Sequence, residues 1–262
     1  MATAVVPSEN ELDAIELFAS LDVFDNQICK RSLCTKCKRP LTVCWCPYLP
    51  RERLAICTKL YILQHPFEES RCLRTVPILQ NCVAEDKCHV IRGKRFPQSK
   101  YPELMSVLES PNTLLLYPGD DAVDISELPV DITYNLVLLD GTWAQAKGIY
   151  TQNPVLKNLK KVQLQTDIKS KYVIRTQPCD SALSTLEAAA AAISILEGRD
   201  DAYEVVTHPL QALCDFQLQH GAAEHQSREF KIENGLWKKP LRRSVQRRLA
   251  EKRAQEQMKS ST

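Results

Sequence analysis

Glycine is scarce in this chain of 262 residues, which contains 7 glycines. No two of them have the spacing of the G-x-G-x-x-G turn that binds dinucleotides, and no glycine-rich loop ends in the Lys-Ser/Thr pair of a P-loop. The sequence therefore excludes a Rossmann dinucleotide site and a Walker NTPase. Aromatic residues are also sparse, at 6% of the chain.

Long apolar runs are missing as well. No stretch approaches the eighteen or so apolar residues of a membrane helix. The first residues lack a basic segment followed by an apolar run, because Glu9, Glu11, Asp13 and Glu16 interrupt them early. We therefore expect a protein that neither enters a membrane nor is secreted. With 44% apolar and 25% charged residues, the composition is that of a globular chain and not of a disordered one.

The positive charge is concentrated at one end of the chain. The net charge is only +2, yet residues 231–262 contain ten Lys or Arg against three Glu. This asymmetry predicts an appended tail that binds a polyanion. A solvated segment or a nuclear-import signal is the alternative.

The cysteines form one dense group. The chain has 11 of them, and a chain without a secretion signal is expected in a reducing compartment, here the cytoplasm or the nucleus, where disulfides are rare. Four follow the pattern C-x2-C-x6-C-x-C, which lets four thiolates surround one tetrahedral zinc ion. Four protein ligands leave no position for a substrate, so the predicted site is structural. The alternative is four thiols without a metal. The predicted ligands are Cys34, Cys37, Cys44 and Cys46.

Four short apolar runs alternate with segments long enough for helices, which is typical of buried parallel strands in an α/β domain. The predicted strands span residues 54–63, 113–117, 135–139 and 161–165. Helices are predicted over 184–196, where Ser184 and Glu187 have capping-box spacing, and over 209–220.

Changes in composition divide the chain into four predicted regions. Residues 1–28 form a tail with one short helix, and residues 29–50 form the zinc-binding module. The α/β domain spans 51–235, and 236–262 is a basic tail that becomes helical against a partner.

A carboxylate follows one of the predicted buried strands. Asp140, Gly141, Thr142 and Trp143 come directly after the run NLVLL and open a helix-like segment. The carboxyl ends of parallel strands are where α/β proteins place their ligands. The alternative is that Asp140 only caps the following helix while Trp143 lies in the core.

Three further polar clusters lie at strand ends or at a helix start. Together they favour a small-molecule pocket, because backbone donors at a helix start bind carboxylate or phosphate. The alternatives are a structural histidine in the first cluster and an ordinary capping box in the third. The clusters are His65, Glu68, Arg71, Arg74 and Thr75; Tyr117, Pro118 and Gly119; and Arg175, Ser184, Thr185 and Glu187.

The order of these motifs resembles the DTW-domain family, which is named for its D-x-T-W motif. After the cysteines come QHPFEE and LRTVP, then LLYPG, LLDGTWAQAK, YVIRTQP and LSTLEA. The resemblance extends from about residue 34 to residue 221 and is greatest to the eukaryotic members that modify transfer RNA.

The resemblance implies a reaction and its substrates. Members of this family are tRNA-uridine aminocarboxypropyltransferases related to SPOUT-type RNA-modifying enzymes, so it implies a parallel sheet with a knot. Such enzymes move the 3-amino-3-carboxypropyl group of S-adenosylmethionine (SAM) to N3 of a uridine and release 5'-methylthioadenosine. The implied partners are SAM and tRNA, with a D-loop uridine favoured and no obligate protein partner.

The resemblance also suggests roles for the candidate residues. Asp140 would be either the base that takes the N3 proton or a group that stabilises the sulfonium, and Arg175 would face the methionine carboxylate. The catalytic candidates are Asp140, Thr142 and Trp143; the SAM-binding candidates are Tyr117, Pro118, Gly119, Gly141, Arg175, Ser184, Thr185 and Glu187; and the tRNA-binding candidates are His65, Glu68, Arg71, Arg74, Thr75, Arg242 and Arg243.

Two rival functions fit parts of the same sequence. A SPOUT-like RNA methyltransferase would use the same cofactor and present its methyl group instead. A non-catalytic zinc-ribbon scaffold that binds RNA would use the D-x-T-W motif only as a turn. SAM affinity separates the scaffold from both enzymes, and the mass of the product separates the two enzymes.

Overall fold

The structure is a computed structural model that describes residues 32–165, 168–241, 243 and 245–247. These residues divide into two compact units, one ending at Cys44 and the other beginning at Trp45. The short helix predicted within residues 1–28, Arg242 and most of the basic tail lie outside the described residues.

The second unit contains a six-stranded sheet in which every pair of neighbours is parallel. The predicted α/β architecture with a parallel sheet is therefore confirmed. The strand order is β2-β1-β5-β3-β6-β4. The strands are β1 (Lys59–Gln64), β2 (Cys88–Arg92), β3 (Thr113–Leu116), β4 (Val123–Asp124), β5 (Asn135–Asp140) and β6 (Lys160–Gln163).

The strands missed from the sequence are the two at the sheet edges, β2 and β4. Central strands of a parallel sheet are covered on both faces and read as continuous apolar runs. β1 fits this rule, since five of its six residues are buried. β2 reads CHVIR and is only partly buried, and β4 has two residues, so neither gives a recognisable run.

Helices connect the strands and cover the sheet. The predicted helix over 184–196 is confirmed, and its Ser184–Glu187 capping box is present. The helix predicted from residue 209 begins earlier, at Ala202, and continues through Pro209, because its first turns also bury apolar side chains. The helices are α1 (Val76–Cys82), α2 (Glu103–Glu109), α3 (Trp143–Gln152), α4 (Pro154–Lys157), α5 (Thr185–Leu196), α6 (Ala202–Gln219) and α7 (Arg228–Glu233).

None of the helices in the described part of the chain has both the length and the apolar character needed to cross a lipid bilayer.

The register of the sheet brings four strand ends to one edge. Gln64, the last residue of β1, pairs with Asp140, the last residue of β5. On the other side of β5, Leu116 at the end of β3 pairs with Val162 of β6. Because all strands are parallel, the loops that follow them leave the sheet at the same edge.

A buried amide holds one of the loops at this edge. Asn153 Oδ1 accepts a hydrogen bond from Phe96 N (2.6 Å), and its Nδ2 donates to Lys94 O (2.9 Å) and Ile149 O (2.6 Å). Replacing Asn153 with aspartate would turn both donated bonds into contacts between a carboxylate and a carbonyl. We expect the free energy of unfolding to fall by about 3 kcal/mol, measured by urea denaturation. The exposed Asn158→Asp is the control, and equal losses in the two variants would contradict this role.

Candidate active site and metal centre

A cavity of about 1070 Å³ opens at the carboxyl edge of the sheet. Its wall is formed by the ends of β3, β5 and β6, by the starts of α3 and α5, and by the segment that precedes α5. The D-x-T-W motif and all three further polar clusters contribute residues to it. The predicted residues that line it are Glu68, Arg74, Thr75, Tyr117, Pro118, Asp140, Gly141, Thr142, Trp143, Arg175, Ser184 and Thr185.

Asp140 lies at the inner wall of the cavity and is only 7% exposed. Its Oδ2 accepts a hydrogen bond from Gln64 Nε2 (2.9 Å), and its Oδ1 accepts one from Thr185 Oγ1 (2.7 Å). Both carboxylate oxygens are thus held by protein donors from β1 and from the start of α5. Such bonds fix the direction in which the carboxylate points.

Thr142, and not Asp140, caps helix α3. Its side chain accepts from Gln145 N (3.3 Å), while Gln145 Oε1 accepts from Thr142 N (2.7 Å). The alternative in which Asp140 is only a helix cap is therefore wrong. Gly141 permits this close turn, since a Cβ atom there would lie 3.0 Å from Gln145 Cβ and 3.4 Å from His65 Cβ.

Trp143 forms part of the cavity wall and is 50% exposed. The alternative that places this indole in the hydrophobic core is therefore wrong. An exposed aromatic ring beside a cavity provides a flat surface on which a nucleobase can stack.

Glu68 brings a second carboxylate to the cavity and is 5% exposed. Its Oε1 lies 3.1 Å from Arg71 Nε, but without the alignment of a hydrogen bond. Burial raises the pKa of Glu68, and the negative charge of Asp140 raises it further, whereas Arg71 and Arg175 act in the opposite direction.

His65 holds the turn that carries Glu68. Its Nδ1 accepts a hydrogen bond from Phe67 N (3.2 Å), which is the contact that a structural histidine would make. Burial, followed by the positive charges of Lys94 and Arg71, lowers the pKa of His65. His65 is buried and does not line the cavity.

Glu187 is fully buried and does not line the cavity. Its carboxylate accepts hydrogen bonds from Ser184 N (2.8 Å), Ser170 Oγ (2.9 Å) and Lys171 N (2.6 Å). It therefore joins the start of α5 to the segment that follows β6. Gly119 and Arg71 also lie outside the cavity wall, as does the exposed Arg243.

Several residues of the cavity wall were not among the candidates named from the sequence. Tyr172 is buried and donates a hydrogen bond to Leu73 O (2.6 Å), which ties the loop after β1 to the chain after β6. Arg228 and Trp237 stack at 5.0 Å, and their Nε and Nε1 atoms have no hydrogen-bond partner within the described residues. They come from α7 and from the chain after it, and no motif links them to the D-x-T-W segment.

The four predicted zinc ligands lie together. The Sγ atoms of Cys34, Cys37, Cys44 and Cys46 are all within 4.8 Å of one another, and those of Cys37 and Cys44 are 3.6 Å apart. Zn–S bonds of about 2.3 Å place tetrahedral sulfurs about 3.8 Å apart, so the cluster fits a zinc ion. The backbone N–H groups of Cys37 and Lys36 lower the pKa of Cys34 to about 6, which favours the ligating thiolate.

Comparison with known proteins assigns the family. A DTW domain matches residues 31–218. Three proteins named tRNA-uridine aminocarboxypropyltransferase 2 are similar to this chain. The protein of Macaca fascicularis is 45% identical over 92% of this chain and 81% of its own length. That of Mus musculus is 49% identical over 81% and 72%. That of Drosophila melanogaster is 46% identical over 84% and 88%.

No solved structure matches this chain. The domain match and the three relatives each cover most of the chain, and the matched residues 31–218 include the four cysteines and most of the residues that line the cavity. The chain belongs to the DTW-domain family.

Proposed function

We propose that this protein transfers the 3-amino-3-carboxypropyl group of SAM to N3 of a uridine in tRNA and releases 5'-methylthioadenosine. The observation that carries the proposal is the buried Asp140 of the D-x-T-W motif, fixed by two hydrogen bonds in a cavity that has room for SAM. The relatives at 45–49% identity bear the name of this activity.

The cavity offers suitable partners for each part of SAM. Leu116, Leu138 and Val162 provide apolar surface for the adenosine. Arg175 and Arg228 are two cations on the same wall, and either suits the methionine carboxylate. Tyr117 and Ser184 also line the cavity, and the fixed carboxylate of Asp140 attracts the positive sulfonium.

Positioning decides which group leaves the sulfonium. Each of its three carbon substituents is activated, so the transferred group is the one whose carbon faces the nucleophile in line with the breaking C–S bond. A site that anchors the methionine carboxylate and presents Cγ to uracil transfers the aminocarboxypropyl group. A site that presents the methyl group would instead produce a methyltransferase.

The sheet connections support a SPOUT-like, knotted fold. Residues 117–122 join β3 to β4, yet β6 lies between these two strands. Tyr117 N donates to Val162 O (3.0 Å), and Lys161 forms an ion pair with Asp121, so this connection lies against β6. β6 comes later in the chain than this connection and yet pairs with both β3 and β4. A later strand that passes under an earlier connection is how a knot forms, and knots are otherwise nearly absent from proteins.

Side chains beside the cavity suit RNA. Phe67 is 62% exposed, and Lys94 Nζ lies 5.2 Å from the centre of its ring. An aromatic ring with a neighbouring cation fits a nucleobase and its phosphate. Arg71, Arg74 and Arg243 would add phosphate contacts, as would Arg242 in the tail. A uridine must be unpaired or turned outward for N3 to be reached, as in a tRNA loop.

Deleting residues 238–262 is expected to weaken tRNA binding at least about tenfold at physiological salt. Each Lys or Arg that contacts a phosphate displaces counterions from the RNA, and binding without the tail would release fewer of them. Fluorescence anisotropy over a salt series would measure this, and the slope of log K against log salt should become shallower. A full-length variant with the tail Lys and Arg changed to Gln is the control for length. Unchanged affinity would support the solvated or nuclear-import alternative.

The cysteine content supports a reducing compartment for this protein, the cytoplasm or the nucleus. The four-region division of the chain is part of the same proposal, with the tail serving tRNA and the main domain catalysing the transfer.

Mass spectrometry of nucleosides tests the proposal. Unmodified tRNA is incubated with the protein and SAM, and the digested nucleosides are analysed together with the small-molecule products. A uridine heavier by an aminocarboxypropyl group, with 5'-methylthioadenosine released, is the expected result. A uridine heavier by a methyl group would indicate the methyltransferase. Absence of SAM binding, measured by calorimetry, would indicate the RNA-binding scaffold.

A further inference from the structure

The cavity holds two buried carboxylates that differ in how they are bound. Both oxygens of Asp140 accept hydrogen bonds from protein donors, Gln64 Nε2 and Thr185 Oγ1. Glu68 is as deeply buried, but its Oε1 has no hydrogen-bond partner within the described residues. The nearest cation, Arg71, lies beside this oxygen at 3.1 Å with its N–H out of line. Each oxygen of Asp140 therefore accepts a hydrogen bond from the protein, whereas the Glu68 carboxylate, which also lines the cavity, is not held in this way.

The backbone fixes Glu68 at the same sheet edge as Asp140. β1 and β5 are neighbours and end in the paired residues Gln64 and Asp140. The next residue, His65, donates its N–H to Asp140 O (2.8 Å), and Glu68 N donates to His65 O (2.9 Å). Glu68 thus lies in a short turn that is tied to the D-x-T-W strand end.

The surroundings of Glu68 favour proton uptake. The charged groups that face it are Asp140, Arg71 and Arg175. The phenol of Tyr172 is close enough to interact electrostatically with Glu68. Burial and the charge of Asp140 raise the pKa of Glu68 against the two arginines. Two neighbouring carboxylates in one site commonly divide in this way, one remaining ionised and the other accepting a proton.

We propose that Glu68 is the general base that takes the N3 proton of the target uridine. The inference rests on the proposed transfer reaction. As the proton moves from N3 to a carboxylate oxygen of Glu68, the N3 electron pair forms the bond to Cγ of the aminocarboxypropyl group. The Cγ–S bond breaks, and its electron pair stays on sulfur as the sulfonium becomes the neutral thioether of 5'-methylthioadenosine. Glu68 then returns the proton to water.

This assignment leaves Asp140 with the electrostatic role. Its carboxylate is oriented by Gln64 and Thr185, which suits a fixed negative charge beside the sulfonium. The two carboxylates would then do different work, and their variants should differ in how they respond to the acidity of the uridine.

The test compares Glu68→Gln with the wild type on two tRNA transcripts, one containing uridine and one containing 5-fluorouridine. Fluorine at C5 makes the N3 proton more acidic, so the step depends less on a base. We expect Glu68→Gln to lower kcat by about 100-fold or more on uridine tRNA. On 5-fluorouridine tRNA we expect the ratio of wild-type kcat to Glu68→Gln kcat to be at least about tenfold smaller than on uridine tRNA. The neighbouring exposed Glu69→Gln, which loses only an ion pair with Arg92 (2.6 Å), is the control.

The pH profile provides an independent measurement on the wild-type protein. Glu68 must be ionised to accept the proton, so kcat/KM should rise with pH through one ionisation and then level off, and Glu68→Gln should lose this rise. Should Glu68→Gln fail to fold, the same transcript comparison is made with Glu68→Asp, whose base is displaced by one methylene.

Three outcomes would overturn the inference: a Glu68→Gln variant with wild-type kcat, a slow variant with equal losses on both transcripts, or a pH profile that the substitution leaves unchanged. A wild-type protein that releases no 5'-methylthioadenosine would instead overturn the transfer reaction itself, so the two failures are distinguishable.

Discussion

Asp140→Asn is expected to lower kcat/KM for SAM by about 100-fold or more while the protein remains folded, because the fixed carboxylate attracts the sulfonium, whose positive charge is still partly present in the transition state. Asparagine keeps the shape of the side chain but replaces one acceptor oxygen with an NH2 group. Gln64 Nε2 and Thr185 Oγ1 both donate to the carboxylate. One of them would therefore face a second donor, and the charge beside the sulfonium would be lost.

The size of the loss is measured by single-turnover assays, and SAM affinity is measured separately by calorimetry. The control is Asp215→Asn, which changes an exposed carboxylate that accepts a hydrogen bond from Gln211 (2.9 Å) on helix α6.

A further expectation separates the two cavity carboxylates. Asp140→Asn should be equally slow on uridine and 5-fluorouridine tRNA, since it does not act on the N3 proton. Full turnover by Asp140→Asn would remove this residue from the mechanism.

Loss of the metal from the four-cysteine cluster is expected to unfold the segment that it organises. Structural zinc sites contribute apparent binding free energies of about 10–16 kcal/mol in zinc-finger peptides. The residues from 32 to 44 bury little apolar surface of their own, and Leu33 and Leu41 are exposed. We therefore expect chelation, or Cys44→Ser, to release one zinc ion per chain and to make this segment sensitive to protease.

Metal content by plasma mass spectrometry and limited proteolysis would measure these two effects. The matched control is Cys57→Ser, because Cys57 is an exposed thiol outside the cluster, and its contact with Glu197 is made by its backbone N–H (2.8 Å). This variant should keep its metal and its resistance to protease. A Cys44→Ser protein that retained both would contradict the assignment of Cys44 as a ligand.

The sequence predicted the central strands well and the edge strands not at all. β1 and β5 lie in the middle of the sheet and are covered on both faces, so the four inner residues of each form an unbroken apolar run, which is visible without any knowledge of neighbours. The two-residue β4 exists only because it pairs with β6. No local pattern could have indicated it, since the hydrogen bonds that make it a strand come from β6, which lies elsewhere in the chain.

The helix starts illustrate the same division. The capping box of Ser184 and Glu187 is a local device, and the helix begins where the spacing predicts. The carboxylate of Glu187 also accepts hydrogen bonds from Ser170 and Lys171, and Glu187 does not line the cavity. Its placement depended on a segment 16 or 17 residues away that carries no recognisable signal.

By itself, the sequence determined what local chemistry dictates: the cysteine spacing, the apolar runs, the caps, and a carboxylate at the end of a buried strand. Only the tertiary structure decided what that carboxylate does. The two donors that hold Asp140 come from 76 and 45 residues away, and the burial of Glu68 depends on the sheet register between β1 and β5. Hydrogen-bond direction and burial are set by neighbours in space, and these determine which of two chemically similar carboxylates is held by two protein donors and which has its pKa raised.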